Sequence, residues 1–227
     1  MTSSRHGETG DALSPDIYQC IYNRYRNYTM IPEATYLRNL RIAERVRAVE
    51  GCIVECGVWR GGMIAGIAEL LGPERAYFLF DSFEGLPPAR EIDGPDALAW
   101  QADTESPGYY DNCRAPAEIA GEAMRISGAR RATLVKGWFE DTLPGFRPPA
   151  PIALLRLDGD WYESTLLSLD SLYPYVAEQG LIIVDDYPTW DGCARAVHEF
   201  LARSSSARRI QRFEGDVCVL TPPKFWF

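Results

Sequence analysis

The sequence predicts an α/β domain: a mainly parallel sheet of seven strands, one of them antiparallel, with helices on both faces. Three observations carry this. From Cys52 onward, short apolar runs alternate with helix-period segments, the order that builds parallel sheets covered on both sides. The last two apolar runs are separated only by Gly215-Asp216, a hairpin signal that adds the antiparallel strand. The chain has 227 residues, 46% hydrophobic and 24% charged, which suits one decorated α/β domain and excludes disorder and fibrous repeats.

The elements follow in order. Residues up to Ser14 read as a mobile tail. Ser14-Pro15-Asp16 offers an N-cap with Pro at the first helical position, opening a Tyr-rich helix that runs to about Arg26. Ile31-Pro32-Glu33 opens a second helix with Leu37, Leu40, Ile42, Val46 and Val49 as its apolar stripe. Cys52 to Cys56 is a short buried strand, and Gly61 to Leu71 a helix ended by Gly72-Pro73. Ala76 to Phe80 is the second strand. The Pro/Gly/Asp-rich stretch from Leu86 to about Asn112 reads as a functional loop or lid. A helix from Pro116 to about Ile126 precedes strand Ala132 to Val135, and Ile152 to Leu157 is the fourth strand. Helix Tyr162 to Tyr173, strand Leu181 to Val184 and helix Cys193 to Ala202 come next. Strands Ile210 to Phe213 and Val217 to Leu220 close the chain.

Charge and composition narrow the partners. With 23 basic and 32 acidic residues the formal charge is −9, which repels nucleic-acid backbones, and basic residues cluster only in pairs such as Arg130-Arg131 and Arg208-Arg209. No apolar run approaches the roughly 20 residues needed to cross a bilayer, and the N-terminus lacks an apolar signal region. A soluble cytoplasmic protein without nucleic-acid or membrane partners is expected. The cysteines (Cys20, Cys52, Cys56, Cys113, Cys193 and Cys218) are scattered and read as reduced thiols, not as a disulfide framework or zinc site. Phe225-Trp226-Phe227 and the Tyr-rich first helix suggest docking surfaces and a homodimer or higher homo-oligomer.

In parallel sheets ligands bind beyond the carboxyl ends of the strands, so the residues just after each strand are the informative ones. The first strand ends in Glu55-Cys56-Gly57-Val58-Trp59-Arg60-Gly61-Gly62. Its glycines permit a tight turn and close backbone approach, but Glu55 stands where a dinucleotide fingerprint has its first Gly. An acid followed by spaced glycines resembles the first motif of methyltransferases that use S-adenosylmethionine. The second strand ends in Asp81-Ser82-Phe83-Glu84-Gly85, where Asp81 either accepts from ribose hydroxyls or caps a turn. After the third strand, Trp138 or Phe139 can flank an adenine ring and Glu140 can accept from its amino group; the alternative is that both rings pack in the core. The fourth strand ends in Asp158-Gly159-Asp160 and the fifth in Asp185-Asp186. Carboxylates so crowded repel one another unless a cation relieves them, and a hard divalent ion with oxygen ligands, such as Mg²⁺, suits them. His6 and His198 are not placed to compete, which disfavours zinc. The alternative is that Asp158 and Asp186 cap the following helices.

Together, Glu55-Cys-Gly-Val-Trp-Arg-Gly-Gly, Asp81-Ser-Phe-Glu-Gly-Leu-Pro, Gly137-Trp-Phe-Glu-Asp-Thr-Leu-Pro, Leu155-Arg-Leu-Asp-Gly-Asp-Trp-Tyr-Glu-Ser-Thr and Ile183-Val-Asp-Asp-Tyr resemble the macrocin O-methyltransferase family. Its members methylate sugar hydroxyls in macrolide and aminocoumarin antibiotic pathways. The match runs roughly from Tyr28 to Phe200, and the stretch Leu155 to Thr165 is its most specific part. The resemblance implies a Rossmann-like class I methyltransferase fold, with S-adenosylmethionine and Mg²⁺ as cofactors. It places the metal on Asp158, Asp185 and Asp186 and suggests Asp160 as general base, with Asp158 also catalytic. Cofactor contacts are implied for Glu55, Gly57, Trp59, Asp81, Ser82, Phe139 and Glu140, with Phe83 and Gly85 on the same turn. Thr29-Met30 matches a segment that closes over the cofactor. Residues 1–50 would then form a tail and part of a lid, and 51–227 the methyltransferase domain with an insertion near 86–112. Trp100, Tyr109 and Tyr110 of that insertion are expected to exclude water and pack on the acceptor; the alternative is a structured surface loop with no ligand contact.

The expected substrate is therefore a glycosylated small molecule methylated on a sugar hydroxyl. A phenol or catechol hydroxyl is an alternative, since the same metal geometry suits vicinal hydroxyls. Asp158-Gly159-Asp160 is also a D-x-D pattern of metal-dependent glycosyltransferases, but the Glu55 glycine motif and Asp185-Asp186 fit that reading poorly.

Overall fold

The computed structural model describes residues 15–215 and 217–225. The expected tail, Asp216 of the closing turn and Trp226-Phe227 lie outside the described residues. Helix α1 (Pro15–Tyr25) and α2 (Glu33–Glu44) precede the first strand. The alternating part is β1 (Cys52–Cys56), α3 (Gly62–Leu71), β2 (Ala76–Asp81), α4 (Pro95–Ala102), α5 (Tyr110–Cys113) and α6 (Ala117–Ile126). It continues with β3 (Arg131–Lys136), α7 (Phe139–Thr142), β4 (Ile152–Leu157), α8 (Tyr162–Leu172), β5 (Val176–Val184) and α9 (Asp191–Arg203). Strands β6 (Arg209–Phe213) and β7 (Val217–Thr221) close it.

The sheet has seven strands in the order β3-β2-β1-β4-β5-β7-β6. Strands β1 to β5 pair in parallel, and β7 runs antiparallel to both β5 and β6, as expected. Strand order reverses between β1 and β4, so the crevice beyond their carboxyl ends is where a ligand is expected.

Period-two alternation splits the strand side chains between two cores. Ile53, Tyr77, Leu79, Leu154 and Ile183 pack with α1, α2, α3 and α6 on one face. Val54, Phe80, Leu155, Leu157, Ile182 and Val184 pack with α8 and α9 on the other. Helices α1 and α2 share the first core through Ile21, Tyr25, Tyr36 and Leu40, all buried. Among the described residues no helix is long and apolar enough to cross a membrane, and all six cysteines are free thiols.

Three elements differ from expectation. Strand β5 begins at Val176, not Leu181. Exposed Glu178 and Gln179 hide its first half in the sequence, and a register shift opposite Ile152 to Leu154 accommodates it. The stretch 86–112 is folded, with a 3-10 turn (Glu91–Asp93), α4 and most of α5. Helix α4 has Pro95 in its first turn but buries only Ala97, so its apolar period is too weak to read. The third departure is α7, a single helical turn after β3.

Leu40 of α2 is fully buried in the first core. Leu40→Ala should lower unfolding free energy in urea by about 2–5 kcal/mol; a loss below about 1 kcal/mol would mean that α2 is not held by this core.

Candidate active site

A cavity of ≈ 970 Å³ opens at the carboxyl ends of β1, β2, β4 and β5. Sequence sets its floor. Gly57 follows β1 with φ +82°, and a Cβ there would fall 1.8 Å from the Asp158 carbonyl oxygen, so only glycine lets the two strand ends approach. Gly62 opens α3, where its amide donates to the Tyr28 carbonyl at 2.9 Å. A Cβ at Gly62 would meet that carbonyl at 2.5 Å. This contact brings Tyr28, Thr29 and Met30 onto the cavity wall ahead of α2.

Glu55, Gly57, Trp59, Asp81, Ser82 and Gly85 line one side of the cavity, and Phe139 and Glu140 another, beside Trp138. Asp81 caps no helix but does cap its own turn through the Phe83 amide, the alternative that the sequence allowed. Its Oδ2 accepts from the Val58 and Trp59 amides at 2.8 and 2.9 Å, and its Oδ1 from the Phe83 amide at 2.6 Å. A carboxylate has about four acceptor positions, so one remains, fewer than two ribose hydroxyls would take. Phe83 belongs elsewhere. Its backbone is left-handed at φ 56° and its ring, 5% exposed, joins the first core and not the cavity wall.

The acids converge as the sequence suggests. One carboxylate oxygen from each of Asp158, Asp185 and Asp186 lies within 4.8 Å of the others. None of them caps a helix: α8 and α9 start after Trp161 and Trp190 without side-chain caps. The first amide of α8, that of Tyr162, is satisfied instead by Asp93 Oδ1 at 2.7 Å. Asp160 sits beside the triad at φ 56°; its amide donates to Asp186 Oδ2 at 3.0 Å and its Oδ1 accepts from Trp190 Nε1 at 2.9 Å.

Arg156 is the functional residue that the sequence reading missed. It is 0% exposed, the penultimate residue of β4. Its Nη1 donates to Glu55 Oε1 and to Asp158 Oδ2, both at 2.6 Å, and its Nε to Asn39 Oδ1 at 3.2 Å. Nη2 lies 2.7 Å from Asp185 Oδ1, an ion pair without hydrogen-bond alignment. The signal was present: one charged residue inside the apolar run Ile152 to Leu157. Period two puts Asp158, two residues on, on the same face, and the β1–β4 register sets Glu55 opposite Arg156.

Electrostatics follow from this packing. Burial pushes Glu55 up to about 8, against the pull of Arg156. Burial also raises Asp158, Asp160 and Asp186. Arg156 opposes the rise at Asp158, and the charge of Asp158 adds to it at Asp160. Asp158 keeps 27% of its side chain open to the cavity, so water screens part of that push. Burial raises Asp81 as well, with its three amide donors opposing.

The lid packs differently from expectation. Trp100 stands 6.1 Å from both Trp161 and Trp190, Tyr109 packs on Trp100, and Tyr110 meets Trp59. None of Trp100, Tyr109 and Tyr110 lines the cavity; in this region Gly85, Leu86, Pro87 and Cys113 do. Indole donors account for the placement of Trp100: its Nε1 bonds the Gly108 carbonyl at 3.1 Å within the insertion, and the rings it packs on are held by Trp161 Nε1 on the Pro87 carbonyl at 2.9 Å and Trp190 Nε1 on Asp160 Oδ1.

Comparison with known proteins places this geometry. The model of the Macrocin-O-methyltransferase (TylF) family matches residues 24–219. A Streptomyces olivaceus protein, 8-demethyl-8-(2,3-dimethoxy-alpha-L-rhamnosyl)-tetracenomycin-C 4'-O-methyltransferase, is 35% identical over 173 residues, 74% of this chain and 64% of its own length. Demethyldecarbamoylnovobiocin O-methyltransferase of Streptomyces niveus is 34% identical over 178 residues, with the same coverage. The chain thus spans 64% of the length of both relatives. Among solved structures, the O-methyltransferase NovP superposes with a TM-score of 0.70 at 31% identity, over 86% of this chain and 82% of that one. With the seven-stranded sheet and the family match in agreement, the chain belongs to the macrocin O-methyltransferase family and has the class I methyltransferase fold.

Proposed function

We propose that this protein is a Mg²⁺-dependent O-methyltransferase that moves a methyl group from S-adenosylmethionine to a sugar hydroxyl of a glycosylated small molecule. The observation that carries the reading is the meeting of three carboxylates at one end of a cavity large enough for a cofactor and an acceptor together. The names of relatives that act on rhamnosyl-tetracenomycin and on mycinamicin III, at a 4' and a 3'' oxygen, support the sugar acceptor.

The cofactor fits on the chemistry of two orphaned atoms. Glu55 Oε2 and Trp59 Nε1 are buried on the cavity wall without hydrogen-bond partners among the described residues. Glu55 lacks a donor and Trp59 an acceptor; the methionine part of S-adenosylmethionine carries an ammonium and a carboxylate. Phe139 and Glu140 suit an adenine ring and its amino group, and the spare acceptor position of Asp81 suits one ribose hydroxyl. Thr29 and Met30 cover the same pocket.

Asp158, Asp185 and Asp186 would hold the cation, since hard oxygen donors suit Mg²⁺. When bound, the cation supplies Lewis acidity that lowers the acceptor hydroxyl's pKa, and S-adenosylmethionine supplies the methyl group. Asp160 Oδ2, without a hydrogen bond among the described residues while Trp190 holds Oδ1, accepts the hydroxyl proton; burial has already made this carboxylate more basic. Trp190 and the backbone bond to Asp186 fix its direction. The lid root at Leu86 and Pro87 excludes water from that end of the cavity.

The decisive experiment is methyl transfer from labelled S-adenosylmethionine to a panel of glycosylated polyketides, with and without Mg²⁺. Asp158→Asn should lose the Mg²⁺-stimulated turnover, by about a hundredfold or more, while circular dichroism stays unchanged; wild-type rates in this variant would contradict the metal reading. Asp81→Ala should weaken S-adenosylhomocysteine binding in calorimetry by about tenfold, and unaltered affinity would mean that the ribose lies elsewhere. Stability carries a third test. A carboxylate with a raised pKa holds more protons folded than unfolded, so its contribution falls as pH rises from the ordinary 4.5 of a glutamate toward the value of about 8 at Glu55. A cation held by ionised carboxylates opposes that loss. Mg²⁺ should therefore raise the thermal midpoint more at pH 8 than at pH 5, and an equal shift at both would contradict the site.

A further inference from the structure

Arg156 is an expensive residue to bury. A guanidinium taken wholly out of water loses several kcal/mol of hydration, and well-packed apolar residues often replace buried ion pairs without loss of stability. A purely structural role would be filled better by a leucine, as at Leu155 and Leu157 on either side. The contacts point to another role. Arg156 reaches Glu55 on β1, Asp158 beyond β4, Asp185 beyond β5 and Asn39 on α2. Two of these carboxylates belong to the acidic triad, and in each case Arg156 takes one oxygen and leaves the other.

Asn39 extends the chain of contacts. It is 0% exposed, and its Nδ2 donates to the Thr35 carbonyl at 3.0 Å while its Oδ1 holds Arg156. Thr35 lines the same cavity as Thr29 and Met30. The α2 wall and the acids at the ends of β4 and β5 are thus braced by one guanidinium.

We propose that Arg156 is the positioning residue of the acidic triad, fixing one oxygen each of Asp158 and Asp185 so that a divalent cation meets a preformed set of ligands, with Asn39 holding the guanidinium from α2. Partners that orient ligating carboxylates change metal affinity by about 10–100-fold when removed. The planar fork of arginine serves several acceptors at once, which the single ammonium of lysine does not. The inference rests on the cation reading above.

The test is a Mn²⁺ titration of the full chain, followed by electron paramagnetic resonance and calorimetry, in wild type, Arg156→Lys and Asn39→Ala. S-adenosylhomocysteine binding without metal is measured alongside. Arg156→Lys should bind Mn²⁺ about tenfold or more weakly, and Asn39→Ala about threefold or more; in Asn39→Ala, whose side chain reaches only Arg156 and the Thr35 carbonyl, S-adenosylhomocysteine affinity should move less than about threefold. Wild-type Mn²⁺ affinity in a folded Arg156→Lys would overturn the inference and leave the metal reading standing. If Arg156→Lys fails to fold, Asn39→Ala decides, and unchanged Mn²⁺ affinity there overturns it. Joint loss of Mn²⁺ and S-adenosylhomocysteine binding in Asn39→Ala would also overturn it, since it marks collapse of the whole pocket. Absence of Mn²⁺ binding in the wild type would sink both readings together.

Discussion

The site depends on how one buried positive charge is shared. Arg156 lies next to the carboxyl end of β4 with Glu55 directly across in β1, and its own strand delivers Asp158 two residues later on the same face. Removed from water, that guanidinium is tolerable only with carboxylates around it, and those carboxylates are tolerable so close together only with a positive charge among them. The same mutual requirement aligns the ends of β1, β4 and β5. The cavity floor is an electrostatic construction as much as a consequence of strand pairing.

Around this floor the chain adds walls by three independent routes. Glycine allows the closest approaches, at Gly57 against Asp158 and at Gly62 against Tyr28. Helices α1 and α2 attach through the first core, and Tyr36 Oη fastens α2 to the Gly62 carbonyl at 2.8 Å. The insertion is held by polar anchors: Asp93 takes the first amide of α8, and Asn112 Nδ2 donates to the Leu86 carbonyl at 2.7 Å. Its least comfortable segment is α5, where Tyr110, Asp111, Asn112 and Cys113 are all left-handed, with φ from 50° to 60°. Each such residue costs on the order of 1–2 kcal/mol, so the tryptophan cluster and the Asn112 bonds must offset a sizeable strain.

Much of this was legible in the sequence because strand ends are legible. Short apolar runs ending at or beside Glu55, Asp81, Asp158 and Asp185 are enough to place acids at one edge of a parallel sheet. Asn39 was not legible, because an asparagine inside a helix acquires meaning only once α2 lies against β4. Arg156 stood in plain view, but its role depends on the β1–β4 register, which no local pattern states. The lid aromatics were misjudged for a related reason: an indole in a loop suggests a ligand platform, whereas Trp100 bonds the Gly108 carbonyl of its own loop and packs on Trp161 and Trp190. Phe83 shows the limit of motif reading, since a left-handed residue inside a cofactor-facing turn sends its ring back into the core.

The most direct measurement is a crystal structure with Mn²⁺ and S-adenosylhomocysteine, using anomalous scattering to locate the metal. The expected result is one anomalous peak bounded by oxygens of Asp158, Asp185 and Asp186, with Arg156 still bridging Glu55 and the triad from behind. A map in which Asp158 and Asp185 contact only Arg156 and Asp186 only the Asp160 amide, with the manganese elsewhere or absent, would contradict the central claim.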